Sequence, residues 1–465
     1  MTKLNAMNAS RRAFLQRASA LSIAGATTPW ALNLAAISDA SAATATDYKA
    51  MVCIFLLGGN DYANTLVAYD TSSYNTYKSL RPTMAYEKNS LSGTLLKPIT
   101  APVDSAKVVR QFALAPELAP LLPIFEAGKM GVLLNVGALI EPTNKSQYLQ
   151  KTVRLPPKLF SHNDQQSFWQ SSGSGGASGW GGRIGDVFES ANTNSAFTCI
   201  NASGTALFLS GNSASQYQTS TSGPVPFNGL VRPLFGSANC TTALRTLMTQ
   251  PRSHLLENEY IRVINRSISA GATFTGALAS APAINTVFPS QNSLADQLKM
   301  VARTISVASA IGTKRQVFFV SMGGFDTHDG LTTVHPALLT TLASALSAFY
   351  AATQELGVDS KVTTFTASDF GRTLSGNNDG SDHGWGSVHF VMGGAVNGKE
   401  IYGTPPILAD NGPDDVGRGR LIPTTSVDQY AATLGKWMGV SDTDLLALLP
   451  NLSNYNVSAR NLGFL

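Results

Sequence analysis

Six short apolar runs constrain the fold of this chain more than any other feature. They are MVCIFLLGG (51–59), KMGVLLNVG (129–137), AFTCINAS (196–203), QVFFVSMGG (316–324), KVTTFTASD (361–369) and SVHFVMGGA (387–395). Each run has the length of a strand, and its apolarity is continuous rather than alternating, which is typical of strands buried on both faces. The runs therefore predict a sheet that is covered on both sides.

Helical patterns lie between the apolar runs. In residues 293–312 apolar side chains recur every three or four positions, and Gly312 fits the end of a helix. Residues 335–357 repeat the pattern, with Pro336 near the expected start and Gly357 after the expected end. Strands that alternate with helices predict an α/β fold around a mostly parallel sheet flanked by helices.

The first 42 residues have the pattern of an export signal. The paired arginines of SRRAFLQ (10–16) precede an alanine-rich apolar stretch, and ASA (40–42) supplies the small residues that a signal peptidase accepts. The twin arginine predicts the export route that carries folded proteins. Because Pro29 and polar residues interrupt the apolar stretch, it is too weak for a stable membrane anchor. We expect a periplasmic or otherwise exported protein.

Composition limits the class of partner and the role of the cysteines. Of the 465 residues 13% are charged, the net charge is +4, and no basic run interleaves with aromatics, so we expect no nucleic-acid partner. Residues 171–292 are rich in glycine, serine and turn-forming residues, and we expect a polar cap or insertion within one domain over 43–465. Cys53 is expected to be a buried free thiol, whereas Cys199 and Cys240 either pair or stay free.

Acidic and histidine side chains follow the apolar runs, where the functional groups of α/β sheets collect. Asp326 and His328, in GGFDTH, project to one side if the chain stays extended, and their donor atoms suit zinc or a similar divalent ion. A surface aspartate beside a hydrogen-bonding histidine would explain the same triplet. The rest of the chain favours the metal site, because further strand-end carboxylates and histidines are expected at the same rim: Asp61, His162, Asp369, His383 and His389.

Two further segments fit the handling of an anion. Ser161 is expected to cap a helix that runs to Gly173, so Ser161 or His162 would lie at the positive end of the helix dipole as a nucleophile or anion-binding residue. A capping serine beside an exposed histidine is the alternative. Arg372 either binds a phosphate or sulfate oxyanion or is held by a carboxylate or carbonyl groups.

An ordered set of motifs resembles the exported bacterial family known as domain of unknown function 1501. The motifs are LLGGNDYAN, SHNDQQSFWQSSG, GGFDTH, SDFGRT and DHGWGSVHFVMGG. This family resembles a branch of the alkaline phosphatase and sulfatase superfamily, in which a serine or threonine at a helix start attacks a phosphoryl or sulfuryl group held by divalent metals. The resemblance implies an alkaline-phosphatase-like fold. It makes Asp326, His328 and His383 ligands of a first metal, and Asp369 a ligand of a second.

The chain departs from the superfamily pattern at three points. Phe370 stands where a histidine ligand of the second metal belongs, Asp61 comes slightly late in its loop, and His162 rather than Ser161 falls at the nucleophile position. Three attacking groups remain open: Ser161, His162 through a phosphohistidine-like step, and a metal-bound hydroxide.

The predicted function is a periplasmic metal-dependent hydrolase that acts on an anionic phosphate or sulfate ester. Zinc is the expected ion, with manganese or calcium as alternatives, and one site is expected rather than two. Asp61 and Asp369 would complete the site or bind a second ion, while Arg372 and His389 would steady the oxyanion. The alternative is a catalytically degenerate member that binds a surface glycan or a partner protein.

Overall fold

A computed structural model describes residues 45–173 and 175–465 of the chain, so the predicted export signal lies outside the described residues. The strands are β1 (Lys49–Leu56), β2 (Leu66–Ala68), β3 (Phe112–Leu114), β4 (Met130–Gly137), β5 (Cys199–Asn201), β6 (Gln216–Ser220), β7 (Gly223–Pro224), β8 (Arg315–Met322), β9 (Val362–Ser368), β10 (Arg372–Gly376), β11 (Ser381–His383), β12 (Ser387–Met392), β13 (Ile401–Tyr402) and β14 (Thr425–Ser426). The helices are α1 (Thr71–Leu80), α2 (Leu122–Glu126), α3 (Lys145–Gln150), α4 (His162–Ser171), α5 (Trp180–Phe188), α6 (Asn228–Val231), α7 (Ala238–Thr249), α8 (Leu255–Ala279), α9 (Ser293–Ser306), α10 (Leu331–Glu355), α11 (Val427–Met438) and α12 (Asp442–Leu448).

Ten strands form one mixed sheet in the order β13-β4-β12-β9-β1-β8-β5-β6-β7, with β14 also paired to β4. The central strand β1 pairs in parallel with β8 on one side and β9 on the other. Strand β12 runs antiparallel to both of its neighbours, β4 and β9. The predicted class, a mostly parallel sheet flanked by helices, is therefore confirmed.

The two faces of the sheet are covered by different helices. Along β1, Val52 and Ile54 belong to one core cluster and Cys53 and Phe55 to the other, and all four side chains are fully buried. Helices α9 and α10 cover the first face, while α5 and α11 cover the second. Burial on both faces explains why the strand sequences are continuously apolar.

All six predicted strands are present, but both predicted helices differ in extent. Helix α9 ends at Ser306, because the chain turns before it reaches Gly312. Helix α10 begins at Leu331 and continues through Pro336, which lies in its second turn rather than at its start. Gly357 follows its end with a φ of 66°, as expected for a helix terminator.

Much of the expected cap is part of the core. Strands β5, β6 and β7 extend the main sheet, and Trp180 of α5 is fully buried against it. Helices α6 and α7 contain no buried residue, and the first half of α8 contains two, Ile261 and Ile264. The three cysteines are free thiols, so Cys199 and Cys240 do not form a disulfide.

One described helix, α10, is long and apolar enough to span a membrane, with a mean hydropathy of 1.2 over its most apolar window. However, 56% of that window is buried inside the fold. The apolarity of α10 thus serves its packing against the sheet and against α9.

Candidate metal centre

The site forms at the carboxyl-terminal edge of β8, β1 and β9. Because these strands are parallel neighbours, the loops that follow them meet at one edge. Gly58, just after β1, has a φ of 115°, and a Cβ there would lie 2.4 Å from the backbone nitrogen of Asp326. Only glycine permits this approach, which brings the loop after β1 against the loop that carries Asp326 and His328.

Four side chains from three separate stretches of the chain converge here; we call His162, Asp326, His328 and His383 the histidine–aspartate cluster. The Nε2 atom of His383 lies 3.0 Å from Nε2 of His162 and 2.8 Å from Nε2 of His328. Asp326 Oδ1 is 3.2 Å from His328 Nε2 and 3.4 Å from His383 Nε2, and its Oδ2 is 3.3 Å from His162 Nε2. Three of the groups, His162, Asp326 and His383, have donor atoms all within 4.8 Å of one another.

The Nδ1 atom of each of these histidines faces an oxygen acceptor outside the cluster. His162 Nδ1 lies 2.7 Å from Oδ2 of Asp369, and His383 Nδ1 lies 2.7 Å from the carbonyl oxygen of Phe160. His328 Nδ1 lies 3.4 Å from Oδ1 of Asp382. A carbonyl or carboxylate oxygen only accepts, so Nδ1 carries the proton and Nε2 of each neutral ring presents its lone pair to the cluster.

This arrangement fits a divalent transition metal. Lone pairs that face each other at about 3 Å repel unless a cation or a proton lies between them, and imidazole ligands of metals characteristically donate their other N–H to an oxygen. Ligand atoms bound at about 2.0–2.1 Å around a tetrahedral zinc ion are about 3.3 Å apart, close to the separations in the cluster. The His162 and His383 nitrogens and an Asp326 oxygen, which all lie within 4.8 Å of one another, form a donor set that suits zinc, and His328 Nε2 lies 2.8 Å from His383 Nε2.

The electrostatic surroundings differ from one cluster member to the next. The hydrogen bond to Asp369 raises the pKa of His162, whereas burial lowers the pKa of His383. Partial burial raises the pKa of Asp326, but the hydrogen bond and charge of Arg372 outweigh it and leave that pKa below its ordinary value. The carboxylate of Asp326 is therefore ionised at neutral pH and can act as a ligand of a cation.

Asp369 supports the cluster instead of lying among the donor atoms. It is fully buried, and its Oδ2 accepts hydrogen bonds from His162, from the backbone N–H of Gly58 at 3.2 Å and from Gln166 Nε2 at 2.8 Å. Its Oδ1 has no hydrogen-bond partner among the described residues. The ring of Phe370 packs against both His162 and His383, with centroids 4.8 and 4.9 Å apart. An apolar ring thus lies where the resemblance would require a ligand of a second metal.

Arg372 was expected to bind an oxyanion, but in the structure its guanidinium group is held by other groups of the protein. Its side chain is fully buried and donates to Asp326 Oδ1 at 2.5 Å, to the carbonyl oxygen of Gly58 at 3.2 Å and to the carbonyl and hydroxyl oxygens of Ser381. The guanidinium thereby fixes the position of the Asp326 carboxylate within the cluster. This is the carboxylate-and-carbonyl alternative that the sequence left open.

Asp61 was expected to bind metal, but the structure places it in a buried ion pair. Its two oxygens each lie 2.9 Å from a terminal nitrogen of Arg81, and both side chains are fully buried. Ser381 Oγ and the backbone N–H of Asn64 also donate to this carboxylate. Both of its oxygens are thus directed at protein donors, and Asp61 is not among the groups that converge in the cluster.

His389 was expected at the rim, but it lies in the core. It is fully buried in β12 and packs against Trp169 and Tyr430, with ring centroids 5.5 and 6.1 Å away. Burial lowers its pKa to about 3, so it is neutral. Because side chains alternate along a strand, a histidine two residues into β12 points to a helix-covered face rather than to the strand end.

His162 is the first residue of α4, and Ser161 lies at the expected cap position but forms no side-chain cap hydrogen bond. His162 belongs to the histidine–aspartate cluster, whereas Ser161 Oγ donates to Asp164 Oδ2 at 2.7 Å. Sequence reasoning gave no role to Asp382 or to the carbonyl of Phe160, which orient two of the imidazoles. Asp382 is adjacent to His383 in the sequence, yet it lies beside His328, which comes from a distant stretch of the chain.

The chain resembles a recognised protein family over part of its length. The model of the family described as "Protein of unknown function (DUF1501)" matches residues 259–449, which include Asp326, His328 and His383 and begin after His162. This match confirms, over that range, the resemblance inferred from the motifs. A comparison with curated proteins found no match.

Several solved structures are similar to this one at low sequence identity. The crystal structure of Ps i-CgsB in complex with k-i-k-neocarrahexaose has a TM-score of 0.36 and 10% identity, over 88% of this chain and 77% of that one. A structure from work on the metabolism of multiple glycosaminoglycans by Bacteroides thetaiotaomicron has a TM-score of 0.35 and 10% identity, over 85% and 74%. The soluble domain of lipooligosaccharide phosphoethanolamine transferase A from Neisseria meningitidis has a TM-score of 0.29 and 9% identity, over 90% and 94%.

Proposed function

We propose that this protein is a periplasmic metal-dependent hydrolase of phosphate or sulfate esters. The observation that carries the proposal is the convergence of three imidazole Nε2 atoms and the Asp326 carboxylate, with each imidazole oriented through its Nδ1 atom. Such preorganisation is characteristic of sites that bind a metal. The motif resemblance to the alkaline phosphatase and sulfatase superfamily supports phosphate or sulfate esters as substrates. The paired arginines near the N-terminus support a periplasmic location.

The residues of the chain would hold one divalent ion, and water or the ester would bind it as a further ligand. His162, His328, His383 and Asp326 would be its ligands, and Arg372 would keep the carboxylate in place. A bound ion supplies Lewis-acid stabilisation of a developing oxyanion and lowers the pKa of water. Neutral imidazoles and a single carboxylate do not cancel the charge of a divalent ion, so the site favours an anionic ester.

The surface around the cluster adds positive charge. Arg420 donates to the carbonyl oxygen of His383 at 2.9 Å, and Arg418 lies 3.4 Å from Asp382 with a side chain that is 73% exposed. Lys158, also largely exposed, lies 3.6 Å from Asp164 at the start of α4. Arg418 and Lys158 pair with Asp382 and Asp164, while Arg420, beside His383, would orient the anionic group of an ester.

The attacking group that best fits the geometry is water, not a side chain. His162 has both ring nitrogens engaged, one with Asp369 and one with the cluster, so it is placed as a ligand. The hydroxyl of Ser161 is directed at Asp164 and forms no hydrogen bond with the cluster among the described residues. A covalent intermediate on either residue therefore has less support than direct hydrolysis.

A binding function is the second candidate, and specific observations favour it. The residue after Asp369 is Phe370, where the superfamily pattern has a histidine ligand. The side chains of Arg372 and Asp61 are both bound by other protein groups. A chain with these features would keep one metal as a structural element and present the cationic rim to an anionic glycan or a partner protein.

Metal analysis combined with an ester assay separates the two functions. The purified protein would be assayed with aryl phosphates and aryl sulfates, with and without zinc, manganese or calcium, and its metal content measured. His383→Ala is expected to lose both metal and turnover, while the exposed His254→Ala serves as the matched control and keeps both. Hydrolysis that survives His383→Ala would overturn the proposal that the cluster carries out the reaction, and bound metal without turnover of any ester would favour the binding function.

A further inference from the structure

Residues 225–266 form a surface that the rest of the described chain does not cover; we call it the 225–266 surface. It comprises α6, α7, their connecting loops and the first half of α8. Neither α6 nor α7 contains a buried residue. A helix as short as α7, with 12 residues, is marginal in water unless an apolar face is packed.

Large apolar side chains are unusually exposed on this surface. Phe235, in the loop between α6 and α7, is 91% exposed, and Leu255 and Leu256, at the start of α8, are 77% and 72% exposed. The remaining exposed apolar residues of the same segment are Val225, Phe227, Val231, Leu247, Tyr260 and Val263. Soluble proteins rarely leave so much apolar surface together unless something covers it.

The same segment is basic. Residues 225–266 contain five arginines and two glutamates, with neither lysine nor aspartate. Glu259 pairs with Arg262 and Arg266. The other three, Arg232, Arg245 and Arg252, are exposed and form no ion pair with any described residue. The segment therefore combines a net positive charge with exposed apolar side chains.

We propose that the 225–266 surface docks reversibly on an anionic phospholipid membrane. Aromatic and aliphatic side chains that insert between headgroups, flanked by arginines that attract anionic lipids, are the features of an interfacial membrane-binding helix. The proposal is independent of the metal centre, because no residue of this surface contributes to the histidine–aspartate cluster.

Charge and shape favour a membrane over the other possible occupants. A second copy of the chain, docked through the same surface, would bring two sets of unpaired arginines together, which is repulsive. A folded acidic partner would require a packed, shape-complementary patch, whereas Phe235 and Leu255 project almost freely. A layer of lipid headgroups does not require a protein surface of fixed shape. It can therefore accept single side chains that extend from loops and helix starts.

Vesicle binding tests the proposal on the full-length chain. Co-sedimentation would compare vesicles of phosphatidylethanolamine with phosphatidylglycerol against vesicles of phosphatidylcholine alone. Binding is expected only to the anionic vesicles and is expected to weaken as salt rises. Arg245→Gln should lower the affinity about fivefold, and Phe235→Ser with Leu255→Ser should lower it further. Any lipid affinity of residues 1–42 is common to all variants, so the differences report on this surface.

Matched substitutions elsewhere separate docking from general effects. Ile99 and Arg154 are 73% and 68% exposed and lie outside this surface, so Ile99→Ser and Arg154→Gln should leave vesicle binding unchanged. Thermal unfolding would verify that each variant is folded. Equal binding to both kinds of vesicle, or equal loss in the control variants, would overturn the proposal. So would a Leu255-dependent dimer, or an acidic protein that competes for this surface while anionic vesicles do not bind.

Discussion

His162 and His383 bring their Nε2 atoms to 3.0 Å, while the Nδ1 atom of each ring faces an oxygen that only accepts hydrogen bonds. Two neutral imidazoles held in this way cannot hydrogen-bond to each other, because both Nε2 atoms present lone pairs. The contact is favourable only when a proton or a metal ion lies between the rings. The relationship between these two residues is thus the observation that most directly supports the proposed metal site.

Replacing Asp369 should weaken metal binding without removing a ligand. Asp369→Asn leaves the histidines in place but weakens the bond that fixes the tautomer of His162, so the metal affinity should fall about 10- to 100-fold. Competition with a fluorescent zinc chelator would measure the change. The exposed Asp442→Asn, whose carboxylate pairs with Lys436 at the surface, is the control and should keep the original affinity. An unchanged affinity in Asp369→Asn would show that His162 needs no such support.

The sequence is sufficient to predict the strands and the sheet edge that carries Asp326 and His328, whereas His383 belongs to β11 of a separate antiparallel pair. Continuous apolar runs identify buried strands, and the ends of parallel strands share one edge. The sequence also predicts that His162 lies at a helix start, because Ser161 precedes it. The sequence does not predict that His162 belongs to the cluster. That role depends on how α4 lies over the sheet, which local sequence does not encode.

Errors in the predicted site have a common physical cause. Asp61, Arg372 and His389 are all buried polar residues, and their partners come from distant stretches of the chain. A buried charge must be paired, but the sequence does not reveal whether its partner is a ligand or another side chain. Arg81 lies 20 residues from Asp61 and outside every motif of the resemblance, so sequence reasoning did not connect them.

Breaking the Asp61–Arg81 pair should destabilise the fold without emptying the metal site. Asp61→Ala leaves the fully buried guanidinium of Arg81 without its carboxylate, and removal of one partner from a buried pair costs about 3–5 kcal/mol of unfolding free energy. Urea unfolding would measure the loss, and elemental analysis of the folded protein should give an unchanged metal content. If metal content fell while the unfolding free energy stayed constant, Asp61 would be a ligand after all.

Substitution of Ser161 discriminates between direct and covalent hydrolysis. If water attacks, Ser161→Ala should keep ester turnover close to that of the original chain, since the Ser161 hydroxyl donates to Asp164 and not to the cluster. His162→Ala should reduce turnover much further, because it removes a member of the cluster. Steady-state rates with an aryl ester would make the comparison. A near-complete loss in Ser161→Ala, with metal content and unfolding temperature retained, would instead identify the serine as the nucleophile.

The buried imidazole of His389 should make the protein sensitive to acid. Burial lowers its pKa to about 3, whereas the unfolded chain has a histidine pKa of about 6.5. The unfolded state therefore binds a proton first as pH falls, so the stability is complete above pH of about 6.5 and declines toward pH of about 3. The decline due to this one residue should be about 1.4 kcal/mol per pH unit.

His389→Gln, which carries no charge at any pH, should flatten that decline. Urea unfolding between pH of about 4 and 6 would give the slope for the original chain and the variant. His335 is also fully buried, with a pKa lowered to about 4 by burial, so part of the slope will remain. The exposed His254→Gln should have no effect. The acid response of the histidine–aspartate cluster is common to the original chain and both variants. Equal slopes of unfolding free energy against pH in the original chain and His389→Gln would therefore mean that His389 is protonated in the folded state.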